Sequence, residues 1–183
     1  MNLEEAKRVM SEADLLVGAA EVDTAIDRLA AELTDQFKDA DPIVLCIMNG
    51  GMIFTGQLLT KLNFPLQVDY VHATRYGHDT VGSHLHWTVR PQLCLKGRTV
   101  LLLDDILDEG VTLAAIADYC REEGASDVQM AVLVEKLHLR KVTPGMRANY
   151  SGLEVGDRFL FGYGLDYKGY WRNAPGIYAV RGM

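Results

Sequence analysis

Apolar residues recur at three- and four-residue intervals between Val22 and Phe37, and this spacing predicts one buried face of an amphipathic helix. A short continuous apolar run from Ile43 to Met48 follows and predicts a buried strand. The segment Asn49-Gly50-Gly51 predicts a sharp turn, after which a second helical period continues to Leu62. The first part of the chain therefore has the order helix, strand, helix.

Further along the chain, short apolar runs predict strands over 66–73, 85–89, 99–103 and 128–134. A polar, glycine-containing loop is expected over 74–83, and Gly110 opens another helical period. Strands that alternate with helices predict an α/β fold with a mainly parallel sheet flanked by helices. Ligands of such sheets bind beyond the carboxyl ends of the strands. We therefore expect residues 48–51, 104–112 and 135–136 to border a binding site.

Composition narrows the class of protein. The chain has 183 residues, 49% of them hydrophobic and 23% charged, which is typical of a single globular domain over residues 1–183. A formal net charge of −7 argues against non-specific binding to a nucleic-acid backbone. The three cysteines show no metal-ligand spacing and are typical of reduced cytosolic thiols. We find no secretory h-region and no apolar run near the ~20 residues of a membrane helix, so we expect a cytoplasmic protein.

The segment that carries chemistry runs from Val100 to Thr112 and reads VLLLDDILDEGVT. Its four leading apolar residues predict a buried strand, and Asp104 and Asp105 then face opposite sides of that strand. Since two carboxylates cannot both point into a core, we expect the strand end to border a cleft. The acidic turn that follows opens onto a helix, where free backbone N–H groups favour a phosphate. Its carboxylates suit sugar hydroxyls, or a magnesium ion carried with polyphosphate.

Two other interpretations of this segment exist. Acidic residues commonly cap helices, so the turn could be a surface loop. The spacing of Asp104, Asp105 and Asp108 also fits the DDxxD pattern of isoprenoid synthases, which lies within a long helix of an all-helical protein. The apolar, strand-like run before the acids and the glycine turn after them argue against that second interpretation.

At these residues the sequence resembles the type I phosphoribosyltransferases, whose motif for phosphoribosyl pyrophosphate (PRPP) matches Val100 to Leu113. Three later segments resemble the hypoxanthine-guanine branch of that family: 132–136, 157–167 and 170–172. Arg75 and Tyr76 lie where that branch has its mobile active-site loop, and we expect them to form a lid. The resemblance implies an α/β fold with a small hood built from the terminal segments. It also implies purine salvage, in which a purine nitrogen displaces pyrophosphate from PRPP to give IMP or GMP.

The resemblance assigns roles around the sugar and phosphate. Asp104 and Asp105 are expected to hold the ribose hydroxyls or waters on Mg²⁺. Asp108 is expected to be the catalytic residue, exchanging a proton with the purine N7. The 5′-phosphate is expected to be bound by the turn made of Asp108, Glu109, Gly110, Val111 and Thr112.

Further roles concern the base and the leaving group. Lys136 is expected to donate to the purine O6, which favours 6-oxopurines over adenine. Phe159 is expected to stack on the base, and the Leu160 backbone to read its edge. Asp166 is expected to help bind the purine and to help hold Mg²⁺. Pyrophosphate is expected to be bound by Asn49, Gly50 and Arg172.

The sequence departs from the family pattern at three positions. Asn49 stands where a Lys or Arg is common, Glu109 replaces a small hydroxyl residue, and Val111 replaces a residue that is often Lys. A xanthine-preferring enzyme and a nucleotide-sensing regulator of the same fold therefore remain alternatives. The resemblance also implies a homodimer or homotetramer. In the related enzymes the pyrophosphate loop contains a non-proline cis peptide, and the resemblance places it at Met48–Asn49.

Overall fold

A computed structural model describes residues 2–75 and 85–183 of the chain. Its helices and strands follow the order that the hydrophobic pattern predicts, with additional elements at both ends. In chain order they are α1 (Leu3–Glu12), β1 (Asp14–Val17), α2 (Ala19–Phe37), β2 (Ile43–Met48), α3 (Met52–Leu59), β3 (Gln67–Arg75), β4 (Leu85–Val89), β5 (Thr99–Leu107), α4 (Val111–Glu122), β6 (Asp127–Leu137), β7 (Tyr150–Gly156), β8 (Leu160–Phe161) and β9 (Ile177–Ala179).

The main sheet among the described residues has the strand order β4-β3-β2-β5-β6-β7. All neighbouring pairs from β3 to β7 are parallel, and β4 adds to the edge of the sheet as an antiparallel strand. The central strands β2 and β5 are apolar on both faces because helices cover both sides of a parallel sheet. Mixed α/β architecture with a mainly parallel sheet is thus confirmed.

Helices divide between the two faces of this sheet. Leu101 and Leu103 of β5 pack in one core cluster with residues of α2 and α3. Val100 and Leu102 point the other way and pack in a second cluster with residues of α4. This division follows from the period of two along a strand, which sends alternate side chains to opposite faces.

A second sheet forms the hood. Strands β1, β9 and β8 pair antiparallel, and they bring the first residues of the chain beside the last. Trp171 packs against this region together with apolar residues of α1, and its indole N–H donates to the carbonyl of Ala6 at 2.7 Å. The expected hood built from terminal segments is therefore present.

Some boundaries differ from those that the sequence pattern predicts. The strand expected over 99–103 continues through both aspartates to Leu107, and the strand expected over 128–134 extends to Leu137. The helix expected to reach Leu62 ends at Leu59. The expected cis peptide at Met48–Asn49 is present. No helix in the described ranges is both long and apolar enough to cross a membrane.

Candidate active site

A cleft of about 730 Å³ opens at the carboxyl ends of the central strands. Its walls come from the turns after β2 and β5, the end of β6, and the segment between β7 and β9. The three segments that the sequence pattern places at this edge of the sheet all line it. The cleft therefore lies where ligands of parallel α/β sheets bind.

The side chains of Asp104 and Asp105 alternate between the two faces of β5. Asp105 is buried and Asp104 is half-buried. The Asp105 carboxylate packs against the turn after β2, where a Cβ on Gly50 would lie 2.2 Å from Oδ2 of Asp105. Burial raises the pKa of both carboxyls, and the neighbouring negative charge of Asp105 raises that of Asp104 further. Neither carboxylate lies within salt-bridge distance of a basic side chain of the described residues.

Asp108 contacts Lys136 near the end of β6 and His138 just after the strand. The Lys136 ammonium donates to its Oδ2 at 2.9 Å, and Nε2 of His138 lies 2.6 Å from its Oδ1. The parallel pairing of Leu107 with Glu135 places these residues side by side. Burial acts to raise the pKa of Asp108, but the hydrogen bonds from Lys136 and His138 outweigh it and lower the pKa. Asp108 is therefore held as a carboxylate.

The loop after β6 braces the loop after β5. The Lys141 ammonium donates to the carbonyls of Leu107 at 2.9 Å and Asp108 at 2.6 Å, and the Val142 N–H donates to the Glu109 carbonyl. Gly110 adopts φ 81° before α4 begins, a conformation that favours glycine. The cleft at this turn is lined by residues 108–113, which include the first residues of α4.

The opposite wall joins the turn after β2 to the segment after β8. The Arg172 guanidinium donates to the Gly164 carbonyl at 2.6 Å and pairs with Asp166 at 2.5 Å. A Cβ on Gly164, which has φ 109°, would lie 2.2 Å from the Gly50 carbonyl oxygen. The backbone of Asn49 and Gly50 and the Arg172 side chain thus border one end of the cleft.

Phe159 lies at the mouth of the cleft, 44% exposed, with its ring edge-on to Tyr167 at a centroid distance of 5.5 Å. The next residue, Leu160, is buried in β8 and also lines the cleft. An exposed aromatic face beside a Lys136–Asp108 pair is suited to a flat heterocycle that carries polar groups on one edge.

A comparison with protein families matches residues 18–168 to the phosphoribosyl transferase domain. The chain belongs to this family. The match spans the main sheet and most of the cleft, which agrees with the resemblance of the segment 100–113. The fold of this phosphoribosyltransferase is accordingly the type I fold expected from that resemblance.

Curated relatives cover most of the same length. The chain is 30% identical over 164 residues to the hypoxanthine-guanine phosphoribosyltransferase of Bacillus subtilis, covering 89% of this chain and 90% of that protein. It is 32% identical over 168 residues to the enzyme of the same name from Aquifex aeolicus, covering 91% and 93%. A crystal structure of a hypoxanthine phosphoribosyltransferase from Staphylococcus aureus superposes with a TM-score of 0.87 at 23% identity, covering 98% and 97%, and shows a shared fold.

Most residues that the sequence assigns to the site of this phosphoribosyltransferase line one cleft. These are Asn49, Gly50, Asp104, Asp105, Asp108, Glu109, Gly110, Val111, Thr112, Lys136, Phe159, Leu160, Asp166 and Arg172. Arg75 ends β3, and Tyr76 lies outside the described residues, so the expected lid stays a prediction.

Sequence reasoning missed His138 and Lys141 of this phosphoribosyltransferase. Both follow the predicted strand over 128–134 and stand in a polar stretch without a motif. Their contacts with the β5 loop depend on β6 extending beyond Val134, which the hydrophobic pattern does not show. His72, within β3, also lines the cleft without a signal in the sequence.

The described residues of this phosphoribosyltransferase supply only a partial set of protein ligands for Mg²⁺. Three or more closely grouped His, Cys, Asp or Glu side chains that could hold a metal do not occur in the described part of the chain. The Asp166 carboxylate is already paired with Arg172 and also accepts from the Gly169 N–H. Asp104 and Asp105 form no salt bridge with another described residue, and their oxygen donors suit a hydrated Mg²⁺ that arrives with a polyphosphate.

Proposed function

We propose that this enzyme transfers the 5-phosphoribosyl group from PRPP to hypoxanthine or guanine, giving IMP or GMP and pyrophosphate in purine salvage. The observation that carries the proposal is the contact between Lys136 and Asp108 on the cleft wall. A 6-oxopurine presents O6 and N7 side by side on one edge. An ammonium donor next to a carboxylate acceptor matches that edge, since Lys136 can donate to O6 while Asp108 takes the N7 proton.

The sugar phosphate is placed by the turn between β5 and α4. Backbone N–H groups at the start of α4, together with the Thr112 hydroxyl, suit the 5′-phosphate, because a helix N-terminus carries free donors and a favourable dipole. Asp104 and Asp105 then lie where they can hold the ribose hydroxyls or the waters of Mg²⁺. Asn49, Gly50 and Arg172 border the place left for pyrophosphate.

The chemistry is displacement at the anomeric carbon through a cation-like sugar. Mg²⁺ would neutralise charge on the departing pyrophosphate, held through Asp104 and Asp105. Phe159 would keep the base flat against the cleft, and Asp108 would remove the N7 proton as the new bond forms. Positioning of the two reactants supplies much of the rate enhancement in such a reaction.

A panel of bases tests the proposal. Each of hypoxanthine, guanine, xanthine and adenine is offered with PRPP and Mg²⁺, and turnover is followed by absorbance. Adenine presents an amino group to Lys136, donor against donor, and sites built around a polar contact reject analogues that lack it. Turnover of hypoxanthine or guanine without adenine is expected, whereas adenine as the best substrate would contradict the role of Lys136.

Two alternatives, a xanthine-preferring enzyme and a nucleotide-sensing regulator, are tested with the same purified protein. Xanthine shares the O6 and N7 groups, so a xanthine preference would appear directly in the panel. A nucleotide-sensing regulator would bind RNA or DNA, and a filter-binding assay measures this. The net charge of −7 argues against that second alternative.

We further propose a single domain, a cytoplasmic location and a homodimer or homotetramer. The family match over most of the chain supports the single domain. Three free cysteines support a reducing compartment. Val68 and Tyr70, 50% and 40% exposed on one face of β3, support contact with a second copy.

A further inference from the structure

Both oxygens of the Asp108 carboxylate are occupied, one by a residue of β6 and the other by the residue that follows β6. Lys136 donates to Oδ2, and His138 Nε2 contacts Oδ1. The proposed function requires Lys136 to donate to the purine O6 and requires one oxygen of Asp108 to receive the N7 proton. Lys136 must therefore give up at least part of its contact with Oδ2 when a base binds.

We propose that His138 is a positioning residue that keeps Asp108 oriented and ionised after Lys136 turns to the base. This inference rests on the proposed function. It assigns the two oxygens different tasks: Oδ1 stays with His138, and Oδ2 becomes the acceptor for N7. Lys136 thus binds the base, and His138 holds the Asp108 carboxylate.

The structure fixes which nitrogen of His138 carries the proton. Nδ1 of His138 accepts from the backbone N–H of Arg140 at 3.0 Å, so Nε2 carries hydrogen and donates to Asp108. The His138 side chain is 5% exposed, so the residues around it limit its rotation. Arg140 is in turn held by an ion pair with Asp157 at the start of the segment before β8.

The proton balance involves Asp108 alone. The N7–H bond of the purine breaks, its electron pair stays with the purine ring, and the proton moves to Oδ2 of Asp108. The ring nitrogen N9 forms the bond to the anomeric carbon as the bond from that carbon to pyrophosphate breaks, and pyrophosphate leaves with that electron pair. His138 keeps its Nε2 hydrogen and donates to Oδ1 before and after this transfer. It is therefore a donor throughout and never the base.

Several charged groups surround this carboxylate. Lys136 contacts Oδ2, and the Lys141 ammonium contacts the Asp108 backbone carbonyl. Asp157 lies 3.8 Å from the Lys136 ammonium and pairs with Arg140. All of these groups remain in a His138 variant. The change in the titration of Asp108 then reports the loss of a single hydrogen bond.

The experiment compares His138→Ala, His138→Gln and Leu139→Ala with the wild-type enzyme on its best purine. Glutamine places an amide N–H near the position of Nε2, and the Leu139 side chain is fully exposed beside it. For His138→Ala we expect kcat to fall about 10- to 100-fold, by analogy with the loss when a residue that orients a metal-binding side chain is removed. The KM for PRPP is expected to stay unchanged, because other residues hold the turn between β5 and α4 that is proposed to bind the 5′-phosphate.

The pH profile separates positioning from a purely structural role. Removing a donor raises the pKa of Asp108, and the base form is required, so the acid limb of kcat/KM moves to higher pH in His138→Ala. His138→Gln is expected to restore most of kcat and the wild-type limb, and Leu139→Ala to match wild type. Thermal denaturation of every variant checks that it is folded.

The outcomes are distinct. A folded His138→Ala enzyme with wild-type kcat and an unshifted limb would overturn the inference. So would equal losses in the Ala and Gln variants without a shifted limb, since this indicates a structural role only. A wild-type protein that turns over no purine would overturn the proposed function and the inference with it, and this is read from the wild type alone.

Discussion

Asp108 and the Asp104–Asp105 pair lie in one cleft, yet their carboxyl groups meet opposite environments. Burial raises the pKa of Asp104 and Asp105, and no basic side chain of the described residues pairs with either. Two donors lower the pKa of Asp108 despite its burial. Carboxyls whose environments push their pKa values apart commonly serve different roles in one site. Here the pair suits a cation or hydroxyls, and Asp108 suits proton transfer.

The variant Asp108→Asn tests this division at the level of a single residue. An amide keeps the size of the side chain and cannot accept the N7 proton, so turnover is expected to fall ~10²–10⁴-fold. PRPP binding is expected to persist, since the turn after β5 stays intact. Steady-state kinetics and calorimetric titration with PRPP measure both quantities. Asp118→Asn is the matched control, because Asp118 pairs with Arg121 on the surface of α4. Wild-type turnover in Asp108→Asn would remove this residue from the mechanism.

The exposed Asp157 gives a pH-dependent prediction. Its hydrogen bond with Arg140 lowers the pKa of Asp157 from 3.8 to about 2. A group whose pKa is lower in the folded state stabilises the fold above its unfolded pKa, and this contribution disappears as pH falls through the folded value. The difference in free energy of unfolding between wild type and Asp157→Asn should therefore be full at neutral pH. It should shrink as pH falls from near 4 toward about 2.

Urea denaturation at a series of pH values measures this difference. Asp39→Asn, an exposed acid beyond the end of α2, serves as a comparison. A stability difference that is independent of pH would contradict the ion pair as its source.

At the scale of elements, the turn between β2 and α3 depends on close packing. Gly50 touches the Asp105 carboxylate, and the added methyl group of Gly50→Ala would lie 2.2 Å from Oδ2. The carboxylate must then move. A displacement of about 1 Å in a catalytic site can cost about 10²-fold in rate, and we expect a loss of that order in kcat/KM for PRPP.

Gly56→Ala is the matched control for this prediction. Gly56 lies within α3 and has no atom within 4 Å of an added Cβ. Alanine is expected to stabilise the helix by roughly 0.5–1 kcal/mol and to leave kinetics unchanged. Equal values of kcat/KM for Gly50→Ala and Gly56→Ala would show that the Gly50–Asp105 contact does not affect activity.

The loop after β6 supports the turn after β5 through Lys141. In Lys141→Met two carbonyls lose their charged donor, and the free energy of unfolding is expected to fall by about 1–3 kcal/mol. The KM for PRPP is expected to rise, because Lys141 no longer supports the turn between β5 and α4, which we propose binds the 5′-phosphate. Denaturation and steady-state kinetics measure these effects, with the exposed Lys38→Met as control. An unchanged KM would assign Lys141 to stability alone.

Many of the helices and strands could be predicted from the sequence. Helix α2 and strands β2 and β5 follow from apolar spacing, because their buried faces are built from residues close in the chain. Helix α1 and strand β1 could not be predicted, since both are polar in part and depend on residues far away in sequence: β1 pairs with β9, and α1 packs against residues between 161 and 180. The hydrophobic pattern does not predict the extension of β5 to Leu107, because Asp104 and Asp105 interrupt the apolar run.

The site was predicted where motifs are contiguous and missed where it depends on tertiary pairing. The turn 104–112 forms one continuous segment, and its position at the cleft follows from parallel strand order. The His138–Asp108 contact joins residues 30 positions apart and depends on the register between β5 and β6. Register cannot be derived from hydrophobic periodicity in strands that are buried on both faces.

At the scale of the whole molecule, the exposed face of β3 is where we expect a second copy to pack. Tyr70→Lys places a charge on that face and should shift the enzyme toward monomer. Sedimentation velocity over a range of concentrations measures this shift. Leu139→Lys, a charge at a fully exposed apolar position of another segment, is the control. A monomeric wild type, or equal behaviour of both variants, would contradict an interface through β3.

The contact between Gly164 and Gly50 has a consequence for exchanging parts between related enzymes. The Gly164 backbone lies so close to the Gly50 carbonyl and to Asp105 that neither glycine position has room for a side chain. The hood segment and the sheet are therefore fitted to each other through main-chain atoms. A chimera that imports residues 158–172 from a relative to alter base preference must carry glycine at 164. The side chain of any other residue at 164 would clash with the Gly50 carbonyl, displace the imported segment from the turn after β2 and widen the cleft.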